Sequence, residues 1–241
     1  MKYRSKRYRA AAALLGDASK AHVPRPLAEA VALIKQMAAP KIGAKFAESV
    51  DLSLHLNLDT KKADQQFRGS FSFPNGTGRD VRVIVFVDDG DKIQGSLQAG
   101  ATKAGGEDLV TAVSEGFMDF DVAIATPKMM RFVGRLGKVL GPRGLMPAPK
   151  SGTVTDDVVT AVREFKAGKT EYRADANGNV HVRVGTTRFD ETQLTGNIDA
   201  FITHVTEHRP SSVKGSFMVS ATLSATMGPG VPVAISSAAD A

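Results

Sequence analysis

The 241-residue chain contains no cysteine. This excludes a disulfide framework, a cysteine-ligated zinc site and a thiol nucleophile, and it fits a reducing compartment. No apolar run is long enough to span a membrane. The N-terminus, MKYRSKRYRAAAALLG, begins basic and turns apolar, but AAALL is too short for the apolar region of a signal peptide. A cytoplasmic protein is expected. Enzymatic signatures are missing too. There is no G-x-S-x-G. Gly137-Lys138 and Gly168-Lys169 look like the end of a phosphate loop. The glycine required five residues upstream is Phe132 in the first case and Arg163 in the second. No G-x-G-x-x-G follows VIVFV. His204 and His208 stand at i, i+4, but HVTEH lacks the glutamate that follows the first histidine of H-E-x-x-H. A surface pair favoured by the dipole at a helix C-terminus explains them. No catalytic residue, metal or cofactor is therefore expected.

Hydrophobic residues make up 42% and charged residues 23%, ordinary values for a chain that buries a sizeable core. The length suits one large domain or two small ones. The net charge of +6 favours anionic partners, nucleic acid above all, though the excess is modest. Five cations, Lys2, Arg4, Lys6, Arg7 and Arg9, crowd the first nine residues. They suit a solvated arm and a phosphate-contacting arm equally well.

The two chain ends share one style and the middle has another. From Pro26 to Ala38, Leu27, Val31, Ile34 and Ala38 recur at helical spacing. In SVDLSLHLNLD, Val50, Leu52, Leu54, Leu56 and Leu58 alternate with polar residues, which predicts a strand with one wet face. TEYRADANGNVHVRV reads as a hairpin turning at Asn177-Gly178. DETQLTGNIDAFITHVTEH reads as an amphipathic helix. Asp190 and Gln193 form its capping box, and Leu194, Ile198, Phe201, Ile202 and Val205 its buried stripe. SFMVSATLSAT alternates again. After the turn-rich FPNGTGRD, by contrast, VRVIVFVDD and DFDVAIAT are nearly continuous apolar runs around the helix GEDLVTAVSEGF, and a further helix runs from Asp156 to Ala167. Strands buried on both faces and joined through a helix indicate a parallel sheet. The expected fold is α+β with two domains. One is a discontinuous α/β sandwich built from both ends, residues 1–74 and 168–241. The other is an inserted Rossmann-like α/β domain, residues 75–167.

MMRFVGRLGKVLGPRGLMPAPKSGTV holds Arg131, Arg135, Lys138, Arg143 and Lys150, five glycines, three prolines and no acid. Thr126 and Pro127 suit a helix start. Met129, Val133, Leu136 and Leu140 repeat at 4, 3 and 4, a core stripe, with the cations mainly on the other faces. Gly141-Pro142 ends the helix, and RGLMPAPKSG must be loop because its prolines interrupt regular hydrogen bonding. The segment reads as a basic helix feeding a rigid basic loop.

MDFDVAIATPKMMRFVGRLGKVLGPRGLMPAPKSGTV closely resembles the signature of the bacterial ribosomal protein L-one family. SKRYRAA, KFAESVDLSLHLNLDTKKADQQFRGSFSFPNGTG, EFKAGKTEYRADANGNVHVRVG, NIDAFITHV and KGSFMVSATLSATMGP are similar to its other segments, in order, over nearly the whole chain. The resemblance implies a structural protein of the large-subunit stalk beside the tRNA exit site, a monomer within the ribosome. It implies large-subunit rRNA as partner, help in releasing deacylated tRNA, and repression of its own operon mRNA. It places the main rRNA site at Phe46, Ser220, Thr226, Met227 and Gly228, with basic support from Lys45, Lys6 and Arg7. Read without the family, SATMGP is only a strand-ending turn. Arg131, Arg135, Lys138, Arg143 and Lys150 then belong to the inserted domain, where cations unmatched by acid suit contact with tRNA or rRNA. Two positions depart from the family pattern: Ala47 stands where an acid is common and Thr186 where a lysine is usual, with Arg188 nearby.

Overall fold

A computed structural model describes residues 4–16 and 23–235. Lys2 of the basic arm, His22 and the end of the low-charge tail lie outside the described residues. The described chain forms two compact units. One comprises the residues up to Phe67, Phe73–Gly78 and those from Tyr172 onward; the other comprises Arg68–Ser72 and Arg79–Glu171. Mixed α+β architecture is present in both.

In the first unit, helix α1 (Lys6–Leu14) takes in Lys6, Arg7 and Arg9 of the expected arm; Ser5 caps it by accepting the Tyr8 N–H. Helix α2 spans Leu27–Met37 and strand β1 spans Ser49–Leu56. The alternation of β1 is complete: Val50, Leu52, Leu54 and Leu56 are buried and the residues between them are not. Strand β2 (Arg68–Ser72) packs with the second unit.

That second unit is a parallel sheet between two helical layers. Strand β3 (Val83–Phe86) leads to α3 (Gly90–Gln98) and β4 (Lys103–Gly105). From there α4 (Glu107–Ser114) returns the chain to β5 (Val122–Ala125). The order is β4-β3-β5, with both neighbours of β3 parallel to it. One face packs on α4 and the segment Met129–Leu140, the other on α3 and α7 (Val158–Ala167). Helix α7 is capped by Asp157 and stops at Gly168, whose φ of 115° is left-handed. Neither α3 nor β4 was expected. GDKIQGSLQ carries two glycines and buries only Ser96 fully, and β4 is three residues long, so neither shows a periodicity.

The chain then returns through β6 (Lys169–Arg173) and β7 (Asn179–Thr186). These are not hairpin partners, contrary to expectation. β6 pairs with β2, and β7 pairs antiparallel with β1. Only Ala174 bridges to Val180. The turn at Asn177-Gly178 is real. Its shape comes from the Asp175 carboxylate, which accepts the N–H groups of Asn177 and Asn179. A tight turn fixes the chain reversal, not how far the pairing extends.

Helix α8 (Glu191–Glu207) has the expected capping box at Asp190 and Gln193. Its buried stripe is Leu194, Ile198, Phe201 and Val205, with Ile202 half-buried. Each leucine-sized side chain so buried contributes roughly 1.5–3 kcal/mol. Strands β8 (Met218–Ala225) and β9 (Val231–Val233) complete a sheet of order β7-β1-β8-β9. Helix α2 packs on β8 and β9, and α8 packs on β7 and α2, leaving the opposite sheet face wet. Asn197 on α8 is fully buried. Its amide N–H groups donate to the carbonyls of Gly76 and Val184, and its oxygen accepts the Asn75 N–H. It thereby fastens the FPNGTG turn to the helix.

No described helix is long and apolar enough to cross a membrane. No group of histidines and carboxylates among the described residues could hold a metal.

Candidate nucleic-acid interface

In the first unit, Glu48 lies at the foot of β1 and is almost fully buried. Its Oε1 accepts the Ala44 N–H at 2.8 Å and its Oε2 accepts the Met227 N–H at 2.9 Å. One carboxylate thus joins the loop carrying Lys45 and Phe46 to the turn Thr226-Met227-Gly228. Charge-assisted bonds to backbone N–H groups are among the stronger ones available to a protein. The Glu48 N–H donates to the Thr187 hydroxyl and the Glu48 carbonyl accepts the Thr187 N–H, which holds Glu48 itself in place.

Around that pin the predicted residues separate by role. Phe46 is 57% exposed and Met227 48% exposed. Two large apolar side chains, on loops that Glu48 joins, are thus open to solvent. Lys45 and Lys6 are exposed, the first next to Phe46 in the chain and the second next to Arg7. Arg7 is half-buried, and its Nη1 donates to the Gly43 carbonyl at 3.3 Å. It braces the loop from α1. A cavity of about 10 Å³ between Arg7, Met37, Glu48 and Gly228 is water-sized at most, so the region is closely packed.

Thr226 also has a part in the turn itself. Its hydroxyl accepts the Ser49 N–H at 3.0 Å and lies 2.8 Å from the Ser49 hydroxyl. Its own N–H donates to the Ser49 carbonyl. The hydroxyl closes the end of β8 onto β1 while Thr226 itself stays exposed. Ser220 is exposed opposite His55, six residues back along β8, roughly 20 Å from Thr226 at strand rise. There it borders a groove of about 1070 Å³ with Ile202, Phe217 and Met218. Phe46, Met227 and Gly228 are brought together; Ser220 stands apart from them.

In the second unit the basic segment is not one helix. It runs as α5 (Met130–Val133), a 3₁₀ turn over Gly134–Leu136, and α6 (Gly137–Leu140). Glycine weakens the α-helix at 134 and 137, and the backbone tightens there. Thr126 makes no side-chain cap; it is buried, and its carbonyl accepts the Met129 N–H. The core stripe holds, since Met129, Val133, Leu136 and Leu140 are all buried. Arg131, Arg135, Lys138 and Arg143 are exposed, as is Lys128. The side chain of Lys150 lies outside the described part. The trailing loop is hydrogen-bonded at its far end. Thr153 Oγ1 accepts the Ala148 N–H, Ser151 donates to the Ala148 carbonyl, and Val154 bridges to Ala125.

His204 and His208 stack with ring centroids 4.1 Å apart, and His204 Nε2 lies 3.0 Å from the Tyr172 hydroxyl. Burial, then the nearby His208, pushes His204 below the ordinary imidazole value, with Glu207 opposing.

The chain is similar to known proteins. The family model described as "Ribosomal protein L1p/L10e family" matches residues 34–229. The chain belongs to that family. It is 51% identical over 208 residues to large ribosomal subunit protein uL1 of Thermosipho melanesiensis, covering 86% of this chain and 88% of that one. The protein of the same name from Lactiplantibacillus plantarum is 49% identical over 98% of this chain and 100% of its own. That from Bifidobacterium adolescentis is 48% identical over 97% of each. The L1p/L10e family is one of ribosomal proteins, structural rather than enzymatic.

Against the L1p/L10e pattern, Ala47 is half-buried between Phe46 and Glu48, and Thr186 is the last residue of β7. Glu48 was not anticipated from sequence. In AESVD it looks like any surface acid, and only a 179-residue separation from Met227 gives it a role.

Proposed function

We propose that this protein is a structural component of the large ribosomal subunit that binds large-subunit rRNA at the mobile stalk. On this reading the discontinuous domain, 1–74 with 168–241, carries the primary rRNA site at Phe46, Ser220, Thr226, Met227 and Gly228, supported by Lys45, Lys6 and Arg7. Thr226 serves it by shaping the turn. The observation that carries the reading is the pair of exposed apolar side chains, Phe46 and Met227, on loops joined through Glu48. Irregular RNA offers unstacked bases and ribose faces to such a platform, and the surrounding cations add salt-dependent affinity.

The inserted domain, 75–167, supplies a second RNA contact through Arg131, Arg135, Lys138, Arg143 and Lys150. With it the protein assists release of deacylated tRNA from the exit site. Where its own operon mRNA mimics the rRNA site, it represses translation of that mRNA. It works in the cytoplasm as a monomer within the ribosome. A reporter carrying its own leader that ignores overexpressed protein removes the repressor role.

The test is binding of the purified chain to a stalk rRNA fragment and to an unrelated structured RNA, at moderate and high salt. Selective binding that survives high salt is expected. Equal binding to both RNAs that collapses with salt overturns the shape-specific site.

A further inference from the structure

Between Asp121 and Asp156 the chain has no acidic residue. Lys128, in the turn before α5, and Arg131, Arg135 and Lys138 along the segment follow one another at spacings of 3, 4 and 3, all outside the buried stripe of Met129, Val133, Leu136 and Leu140. All four are exposed. Among the described residues, none of them pairs with a carboxylate. The ion pairs of this unit run elsewhere, Arg82–Asp119, Arg82–Asp121, Arg79–Asp121, Lys166–Asp80 and Lys169–Glu164. The guanidinium groups of Arg131 and Arg135 both lie over the half-buried Phe132 ring, at 4.7 and 5.8 Å from its centroid. That contact sets two exposed cations beside a ring that packs on the core.

A second feature of the same segment is independent of charge. Gly134 and Gly137 have φ of −55° and −53°, right-handed values that any residue adopts. A Cβ at either position would meet nothing within 4 Å. Neither conformation nor internal packing calls for glycine, and each weakens the helix relative to alanine. What the missing Cβ leaves is room for another molecule to reach the helix backbone.

We infer that the cation stripe and the two bare glycines form one surface that grips the sugar-phosphate backbone of double-helical RNA without reading its sequence. This rests on the RNA contact proposed above for the inserted domain and gives it a chemistry: phosphates on the cations, the ribose-phosphate chain close against Gly134 and Gly137. Phe132 is not a stacking platform, because its own arginines cover it. The site differs in kind from the Phe46–Met227 platform, which suits irregular RNA.

The experiment uses the full chain, an unrelated RNA duplex of roughly 16 base pairs, and deacylated tRNA, each titrated over a range of salt. Arg131→Gln with Arg135→Gln is compared with Lys92→Gln with Arg163→Gln, an equal loss of charge on α3 and α7. The first pair is expected to lower the slope of log affinity against log salt by about 2 for both RNAs; the second is expected to leave it unchanged. Gly134→Ala with Gly137→Ala is expected to weaken binding of both RNAs while the melting temperature holds or rises. The inference falls if the two charge pairs behave alike, if the loss is confined to one RNA, or if alanine at the glycines leaves affinity untouched. Stalk-fragment binding by the same variants separates this from the primary site. Selective binding lost through Met227→Ala but kept in the arginine variants belongs to the platform alone.

Discussion

The Glu48 carboxylate accepts the Met227 N–H at 2.9 Å across a separation of 179 residues, and the same group accepts the Ala44 N–H. Both exposed apolar side chains of the platform hang from backbone that this one carboxylate holds. Glu48→Gln keeps the shape but puts an NH₂ group where an acceptor is needed, so one of the two bonds is lost. Bonds to a charged partner contribute about 1.5–3 kcal/mol, so a stability loss of about 2 kcal/mol in urea unfolding is expected. Stalk-fragment affinity should fall by about tenfold, because the loops lose their mutual register. Full affinity in a folded Glu48→Gln protein would show that the platform does not need the pin.

Met227 and Thr226 should part company. Met227→Ala removes a side chain that is 48% exposed, so unfolding is expected to stay within about 0.5 kcal/mol while rRNA binding weakens. Thr226→Ala strips the acceptor from the Ser49 N–H and should cost about 1 kcal/mol. Thr226→Ser keeps the hydroxyl and should keep both stability and binding. If Thr226→Ser binds RNA as poorly as Thr226→Ala, the methyl group matters and the account of the turn is wrong.

What could be read from the chain beforehand followed from local order. Val50 to Leu56 alternate because the sheet has one wet face, and Asp190 and Gln193 cap α8 because a capping box needs only four consecutive residues. What escaped reading was decided by partners far away in the chain. The Asn177-Gly178 turn is visible, but β6 leaves it to pair with β2. Helix α3 turns two glycines and mostly polar residues toward a face it barely buries, so no stripe marks it. The resemblance named Phe46 and Met227, yet neither residue type nor spacing singles out Glu48, whose role exists only once the chain ends meet.

Asn197 illustrates the same point for stability. It lies fully buried on α8, and its amide satisfies two carbonyls and one N–H. Asn197→Ala leaves all three without their partner and should cost about 3 kcal/mol. Asn197→Asp, equal in shape, sets oxygen against the carbonyls of Gly76 and Val184 and should be no better. A variant within about 1 kcal/mol of wild type in urea would mean that water replaces the amide.

Asp121 ties the start of β3 to the start of β5. Its Oδ2 accepts the Arg82 N–H and the Arg82 Nε–H, and its Oδ1 accepts from Arg79. Burial raises its pKa, but the hydrogen bonds from Arg82 and the charges of Arg79 and Arg82 outweigh it, leaving the group below the usual carboxylate value. A depressed folded pKa stabilises the ionised native state. The contribution is present above the unfolded value of about 3.9 and is lost as pH falls through the lower folded value. Asp121→Asn should therefore unfold more easily than wild type at about pH 7, with the gap closing as pH falls through the lowered folded value and the wild-type carboxyl also becomes neutral. Hydrogen exchange of β3 and β5 amides, followed against pH, reads this within the inserted unit. A gap that persists unchanged in acid would assign the effect to hydrogen-bond geometry rather than to charge.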